Sequence, residues 1–176
     1  MARAILLKYT VVDTAVGWIV IVSSETGLRR ISIHDSLDAA TRDIAMFFPE
    51  TIDSPVVFGD LAERLKQYTK SKRVTFDDKL DLANATPFQQ AVWAATREIP
   101  YGETRSYEWI ACRIGKPKAA RAVGQALNRN PFPIVVPCHR VIGKGGDLTG
   151  FSCGLKVKKR LLALEATGLL PITKMR

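Results

Sequence analysis

The segment at residues 130–141, NPFPIVVPCHRV, constrains the fold more than any other part of the chain. Its apolar residues are largely β-branched and are enclosed by three prolines, a composition that favours a rigid and mostly buried path. The segment ends on Cys138 and His139. We therefore expect this pair to be held in one geometry.

The pair Cys138 and His139 is a candidate reactive site. A cysteine is a useful nucleophile as the thiolate, which a basic neighbour or a positive charge favours, and His139 and Arg140 follow it directly. Because adjacent side chains of an extended segment point in opposite directions, we expect His139 to reach the sulfur through a turn or a bridging water. The alternative is a buried structural cysteine beside a surface histidine.

The positive charge of the chain is concentrated in its second half. The net charge is +9 at pH 7, yet residues 1–80 contain 11 Lys and Arg and 11 Asp and Glu residues. Residues 81–176 contain 15 basic and 6 acidic residues. This distribution indicates a module that binds a polyanion, with nucleic acid as the first candidate. A solvated basic surface without a partner is the alternative.

Length and cysteine content indicate the class of protein. The 176 residues suffice for one sizeable domain or two small ones. No secretory signal pattern and no long apolar run are visible, and three cysteines fit a reducing compartment. We expect a cytoplasmic protein without a membrane partner, associated with the nucleoid if the source is prokaryotic.

The first 80 residues predict an α/β domain with a small antiparallel sheet. Three short, partly alternating β-branched runs predict the strands of a meander, at residues 4–12, 17–23 and 27–33. Helices are predicted at residues 37–48, with Ser36 as the N-cap, and at about residues 58–68. Residues 74–76 are a candidate for a returning strand.

A polar stretch at residues 77–85 predicts a linker, and the chain beyond it is mainly helical in pattern. Thr86, followed by proline, is typical of a helix start, and we expect that helix to run to about residue 98. Two shorter helices are predicted at residues 106–114 and 118–128, joined by a glycine-containing turn. In a basic region this pattern predicts a helix-turn-helix, and it also occurs in ordinary helical domains.

The helix at residues 118–128 carries small residues where a base-reading helix would carry long polar ones. Small residues repeat along one stripe, beside two long polar side chains. The stripe and its neighbours are Ala119, Ala122, Ala126, Arg121 and Gln125. We expect an exposed ridge that approaches a narrow minor groove closely. Close packing against another protein element is the alternative.

A last helix is predicted at residues 156–167. Its apolar residues supply a buried side, and we expect its basic residues on the outer face. These basic residues are Lys156, Lys158, Lys159 and Arg160. Glu165 is the only acidic residue of this helix.

Residues 86–168 closely resemble the O6-alkylguanine-DNA alkyltransferases, also called methylated-DNA–protein-cysteine methyltransferases. The matching sequences are PYGET at 100–104, SY at 106–107, KAARAVG at 118–124, NP at 130–131, PCHRV at 137–141 and GFS at 150–152. The resemblance implies an RNase H-like α/β domain at residues 1–80. It further implies a mainly α domain with a helix-turn-helix at residues 86–176, which binds DNA and transfers the alkyl group.

The resemblance implies direct DNA repair, in which an alkyl group moves from O6 of guanine to Cys138 in one irreversible step. O4 of thymine is a further candidate substrate. His139 would take the thiol proton through a water, and Glu165 would orient the imidazole. Asn130 would hold the turn before the active-site segment, and Tyr107 would donate a hydrogen bond to the leaving base.

The family also implies how DNA is held. The partner would be double-stranded DNA containing O6-alkylguanine, with the damaged nucleotide flipped into a pocket. Arg121 would fill the gap in the base stack, while Tyr107 and the small-residue ridge contact DNA. The base pocket would include Val141, Phe151, Ser152 and Cys153. No cofactor is required, zinc would be at most a non-catalytic structural ion, and we expect a monomer with scope for cooperative binding on DNA.

Two positions depart from the family pattern. Phe151 replaces a frequent tyrosine, and Cys153 replaces a common glycine, so we expect methyl to be accepted more readily than benzyl.

Two other functions fit part of the sequence. A cysteine hydrolase would also need the nucleophile, base and orienter that Cys138, His139 and Glu165 supply. A lesion-sensing DNA-binding module would not need Cys138. The spacing of Cys138, His139 and Cys153 matches none of the usual patterns of structural zinc sites.

Overall fold

A computed structural model describes residues 6–148 and 153–167 of the chain. These residues fall into two compact units, with the boundary between Asp81 and Leu82. The boundary lies inside the stretch 77–85, where the sequence predicts a linker. None of the helices in the described ranges is long and apolar enough to cross a membrane.

The first unit contains a four-stranded sheet with the strand order β3-β2-β1-β4. The strands are β1 Lys8–Thr14, β2 Gly17–Ser24, β3 Gly27–His34 and β4 Ile52–Asp53. The first three pair antiparallel, which confirms the predicted meander. β4 pairs parallel to β1 and is absent from the sequence prediction, because two residues are too few for an alternating pattern.

Two helices accompany this sheet, α1 Leu37–Phe47 and α2 Gly59–Thr69. Both confirm predicted helices, and Ser36 caps α1 by accepting a hydrogen bond from the Ala39 amide at 3.1 Å. Val20 and Val22 of β2 pack with α1, and their neighbours on the strand are also buried. Since successive side chains of a strand alternate in direction, both faces of β2 are covered.

The stretch at residues 74–76 is not the strand that its sequence suggests. Nη1 of Arg64 donates a hydrogen bond to the Thr75 carbonyl at 3.0 Å. The ring of Phe76 packs edge-on against Tyr68, with 5.7 Å between the ring centres. Side-chain contacts with α2, rather than a strand ladder, hold this segment.

The second unit is mainly helical. Its helices are α3 Pro87–Arg97, α4 Tyr107–Arg113, α5 Ala120–Asn128 and α6 Leu155–Thr167. α3 begins as predicted, with a capping box in which Thr86 and Gln89 bond each other's backbone amides at 3.2 and 2.9 Å. α4 and α5 are the predicted helix pair. α5 begins at Ala120 rather than residue 118, because residues 116–119 first close a turn.

A short parallel ladder connects two parts of the second unit. It consists of β5 Arg105–Ser106 and β6 Val141–Ile142, and no sequence pattern indicates it. β5 leads into α4, where Oγ of Ser106 accepts a hydrogen bond from the Trp109 amide at 3.1 Å. β6 directly follows the turn that contains Cys138. The ladder therefore ties the start of α4 to the residues after the candidate nucleophile.

Candidate active site

Cys138 begins a 3-10 turn, Cys138–Arg140, at the end of the segment enclosed by prolines. Every residue from 132 to 141 is buried, which confirms the predicted buried path. Within it Ile134 has a φ of 75°, a left-handed conformation that costs a β-branched residue about 1–3 kcal/mol. The burial on either side holds the backbone in this strained form, so the thiol has a fixed position.

Asn130 holds the same turn through both ends of its side-chain amide. Its Oδ1 accepts a hydrogen bond from the Phe132 amide at 2.9 Å, and its Nδ2 donates to the Val136 carbonyl at 3.0 Å. Nδ2 also donates to Sγ of Cys138 at 3.1 Å. Because Asn130 lies just beyond the end of α5, it connects that helix with the cysteine.

His139 points into the protein and bonds Glu165 of α6. Its Nε2 lies 2.8 Å from Oε1 of Glu165, and its side chain is fully buried. The alternative of a surface histidine is therefore wrong. The 3-10 turn, in place of an extended backbone, aims the imidazole at α6.

Arg140 holds the Glu165 carboxylate from a second direction. Its Nε donates to Oε2 at 2.9 Å and its Nη2 to Oε1 at 2.9 Å, while Nη1 donates to the Ile99 carbonyl at 2.7 Å. The Gly102 amide donates to Oε2 at 3.1 Å. The buried carboxylate is thus fixed by donors from separate parts of the chain.

Burial and hydrogen bonding set the charges of these groups. Burial alone would raise the pKa of the Glu165 carboxyl, but hydrogen bonds from His139 and Arg140 lower it well below its usual value. Burial lowers the pKa of His139 against the opposing effect of Glu165. Burial raises the pKa of Cys138 to about 12, although the hydrogen bond from Asn130 acts in the other direction. At rest the site contains a neutral thiol, a neutral imidazole and a carboxylate.

Lys158 belongs to this site, and its predicted place on the outer face of α6 is wrong. The side chain is fully buried, and Nζ donates to the Val141 carbonyl at 2.7 Å. Nζ lies 5.9 Å from the centre of the Tyr107 ring. Burial lowers the pKa of Lys158, whereas a negative charge on Cys138 acts to raise it. A protonated Lys158 in turn lowers the pKa of Cys138 and so favours the thiolate.

The exposed side of α5 is narrower than the predicted ridge. The predicted residues that are exposed or half-buried are Ala119, Arg121, Ala122 and Gln125. Ala126 is buried, so its predicted place on the exposed ridge is wrong. This side of the helix packs on α3, where Nε1 of Trp93 donates to the Ala126 carbonyl at 3.1 Å.

A cleft of about 410 Å³ adjoins α4 and α5. Its walls are formed by Ser106, Tyr107, Glu108, Ala120, Arg121, Gly124 and Lys144. Lys144 and Glu108 form an exposed ion pair at 3.4 Å on this surface. The cleft brings together Tyr107 and Arg121, for which the family resemblance implies contacts with the base and with the gap in the stack.

The predicted base pocket is described in part. Val141 is buried, and Cys153 is half-buried just before α6. Phe151 and Ser152 lie outside the described residues. Within the described part of the chain, no group of three or more His, Cys, Asp and Glu side chains could hold a metal ion.

The chain combines an α/β unit with a mainly helical unit that contains a buried cysteine. Models of the two domains of one protein family match these two units. Residues 7–82 match the ribonuclease-like domain of 6-O-methylguanine DNA methyltransferase, and residues 87–167 match its DNA binding domain. The chain belongs to the 6-O-methylguanine DNA methyltransferase family.

Individual relatives agree with this assignment. The methylated-DNA–protein-cysteine methyltransferase of Methanosarcina barkeri is 44% identical over 164 residues, which cover 93% of this chain and 99% of the relative. The constitutive protein of that name from Bacillus subtilis is 40% identical over 158 residues, with 89% and 94% covered. The crystal structure of Mycobacterium tuberculosis OGT in complex with DNA matches with a TM-score of 0.81 at 38% identity, covering 93% of this chain and 96% of that one. The expected family and fold class are confirmed.

Proposed function

We propose that this protein repairs DNA by transferring an alkyl group, typically methyl, from O6 of guanine to Sγ of Cys138. The observation that carries the proposal is a pair of buried hydrogen bonds on adjacent residues, from Asn130 to Cys138 and between His139 and Glu165. The first bond supports a role for Cys138 as the nucleophile, and the second supports a role for His139 as the base. Transfer of an alkyl group from O4 of thymine is a second candidate reaction.

The reaction is a displacement at carbon. The sulfur of Cys138 forms a bond to the alkyl carbon as the bond from that carbon to O6 breaks. The electron pair of the broken bond stays with guanine. The thiol loses a proton and guanine gains one, so the products are a thioether and an unmodified base. His139 accepts the thiol proton through a water molecule, and Tyr107 donates a hydrogen bond to the leaving base.

The charges of the site favour removal of the thiol proton during the reaction over a thiolate formed in advance. Burial raises the pKa of the Cys138 thiol to about 12, so the protonated thiol is the main form at neutral pH. The neutral imidazole of His139 accepts the proton, and the Glu165 carboxylate stabilises the resulting cation. Nδ2 of Asn130 and the ammonium of Lys158 stabilise negative charge on the sulfur.

Each molecule reacts once. A thioether is neither an ester nor a thioester, so the imidazole and carboxylate that would hydrolyse an acyl intermediate provide no route back to the thiol. The alkylated protein is the end of the reaction.

DNA is bound in the minor groove by the surface of α4 and α5. The basic second half of the chain attracts the phosphate backbone. The short side chains of Ala119 and Ala122, with Gln125 beside them, allow α5 to approach the groove closely. The damaged nucleotide is flipped out of the stack, at a cost of about a few kcal/mol, and Arg121 at the edge of the cleft occupies the gap. The base enters a pocket, to which the family resemblance assigns Val141, Phe151, Ser152 and Cys153.

The partner is double-stranded DNA that contains O6-alkylguanine, and the protein acts as a cytoplasmic monomer. The chain itself supplies the nucleophile, the base and the donor to the leaving group. The transfer therefore proceeds without a cofactor.

A cysteine hydrolase is the second candidate, because Cys138, His139 and Glu165 also match the nucleophile, base and orienting acid of that class.

The number of guanines restored per protein molecule tests the alkyl-transfer function. The protein is mixed with an excess of duplex carrying one O6-methylguanine, and restored guanine is measured after nuclease digestion. We expect a plateau at one equivalent for the wild type and none for Cys138→Ala.

Cys112→Ala is the matched control, because Cys112 is an exposed cysteine that does not line the cleft. It should reach the same plateau as the wild type. Release of product beyond one equivalent from an activated ester would favour the hydrolase. Tight binding of the duplex without restored guanine would contradict alkyl transfer.

A further inference from the structure

Arg140 is a buried cation to which the mechanism above gives no part. Its side chain directly follows His139 and is largely buried. The guanidinium uses Nε and Nη2 on Glu165 and Nη1 on the Ile99 carbonyl, and it lies 5.7 Å from the centre of the Tyr101 ring. This fork geometry is more specific than packing alone requires.

Glu165 therefore has two basic partners at once. Its Oε1 accepts hydrogen bonds from Nε2 of His139 at 2.8 Å and from Nη2 of Arg140 at 2.9 Å. A guanidinium is charged at every accessible pH, whereas an imidazole is charged only after it takes up a proton. In the resting protein the carboxylate is thus already neutralised by Arg140.

That arrangement affects what His139 can do. A histidine paired with a buried carboxylate alone is stabilised as the cation, and a cation cannot accept a proton. A fixed positive charge on the same carboxylate disfavours a second one on the imidazole. Glu165 still orients the ring, and it is available to stabilise the cation once the thiol proton has been transferred.

We propose that Arg140 is a positioning residue that keeps His139 neutral and aligned in the resting protein, so that the imidazole is ready to accept the Cys138 proton. The inference rests on the proposed function for its purpose. Its physical content, the protonation of His139, can be measured without any reaction.

The other charged groups around His139 act in known directions. Lys158 of α6 opposes protonation, as Arg140 does, and Glu165 favours it. The thiol of Cys138 is neutral at rest, and the nearby ring of Tyr101 faces Arg140. Removal of the Arg140 charge would leave Glu165 opposed by Lys158 and by burial, so the pKa of His139 should rise.

The chain contains two histidines, which makes the measurement direct. Ring signals of His139 and His34 are followed by NMR across a pH titration in wild type, Arg140→Gln and Arg140→Lys. His34 lies in the first unit and serves as an internal reference, and the indole signal of the buried Trp93 reports that the second unit remains folded. In Arg140→Gln we expect His139 to protonate at a pH higher by about one unit or more, and in Arg140→Lys by less than half that shift.

Arg113→Gln is the matched control, since it removes an exposed arginine of the second unit that pairs with Glu98. It should leave the titration of His139 unchanged. If Arg140→Gln does not fold, Arg140→Met carries the test, because it also removes the charge and keeps an unbranched buried side chain. An unchanged His139 titration in a folded variant that lacks the Arg140 charge overturns the proposal.

A second measurement separates this role from a structural one. The rate of alkyl transfer in Arg140→Gln should fall most at low pH, with its acid limb displaced to higher pH in step with the His139 signal. A rate reduced by the same factor at every pH would overturn the proposal. Absence of transfer in the wild type would instead count against the proposed function and leave the titration result standing.

Discussion

Nδ2 of Asn130 lies 3.1 Å from Sγ of Cys138 and donates a hydrogen bond to it, within a turn that the same side chain holds closed. Burial raises the pKa of the thiol, and this hydrogen bond acts against that rise. One amide therefore supports both the backbone of the turn and the negative charge that develops on sulfur.

Asn130→Ala should destabilise the protein and slow alkyl transfer. The change leaves the Phe132 amide and the Val136 carbonyl buried without their side-chain partner, which we expect to cost about 2–4 kcal/mol. Urea denaturation measures the loss. Asn128→Ala, at the exposed last position of α5, is the control and should change stability by less than about 0.5 kcal/mol. Equal effects of the two substitutions would contradict the role of Asn130.

Because of Glu165, the free energy of unfolding should fall as the pH is lowered into the acid range. Its folded-state pKa lies below its ordinary value of 4.5, so its contribution is present above that value and is lost as the pH falls through the folded pKa. Glu165→Gln should be less stable than wild type by about 3 kcal/mol near neutral pH, because Arg140 loses its buried partner. Chemical denaturation at a series of pH values should show this difference shrinking towards about pH 3.

Glu98→Gln is the control for that experiment. Glu98 is an exposed carboxylate that pairs with Arg113. Its replacement should have a much smaller effect at every pH. A difference between wild type and Glu165→Gln that does not change with pH would show that the carboxylate is not held in its ionised form.

Much of the fold could be predicted because the relevant signals are local. The caps at Ser36 and Thr86 involve residues three positions away, so the helix starts are visible in the sequence. The two-residue strands depend on partners far along the chain, and no local pattern marks them. Residues 74–76 have strand-like composition, but side chains of α2 hold them in another conformation.

The site could be predicted where a motif carries it and not where burial decides. Cys138 and His139 stand in a recognisable motif, and Glu165 follows from the family resemblance. Lys158 has basic neighbours, which favours a solvated position, yet its spacing from Glu165 of two helical turns places both on one face of α6. Ala126 is small enough for an exposed ridge or for a helix contact, so composition alone cannot distinguish them.

Arg121→Ala should slow repair of duplex DNA far more than reaction with the free base O6-methylguanine. Arg121 is exposed at the cleft and, on our account, fills the gap left by the flipped nucleotide. We expect a loss of about tenfold or more on duplex, equivalent to about 1.4 kcal/mol or more, and little change with the free base. Arg113→Ala removes the same charge outside the cleft and serves as the control. Equal losses on both substrates would exclude this role.

Cys153→Gly should widen the range of alkyl groups that are accepted. Cys153 is half-buried two residues before α6, and in the predicted base pocket we expect its side chain to narrow the space for the alkyl group. In wild type we expect methyl to react faster than benzyl, and in the variant the benzyl rate should rise by roughly tenfold relative to methyl. Single-turnover rates with the two modified duplexes measure this ratio. An unchanged ratio would show that Cys153 does not contact the alkyl group.

The central claim is tested most directly by the intact mass of the protein after incubation with a duplex containing one O6-methylguanine. We predict a single added mass equal to one CH₂ group, located on the peptide that contains Cys138 and absent from Cys138→Ala. An unchanged mass in a protein that binds the duplex tightly would contradict the account.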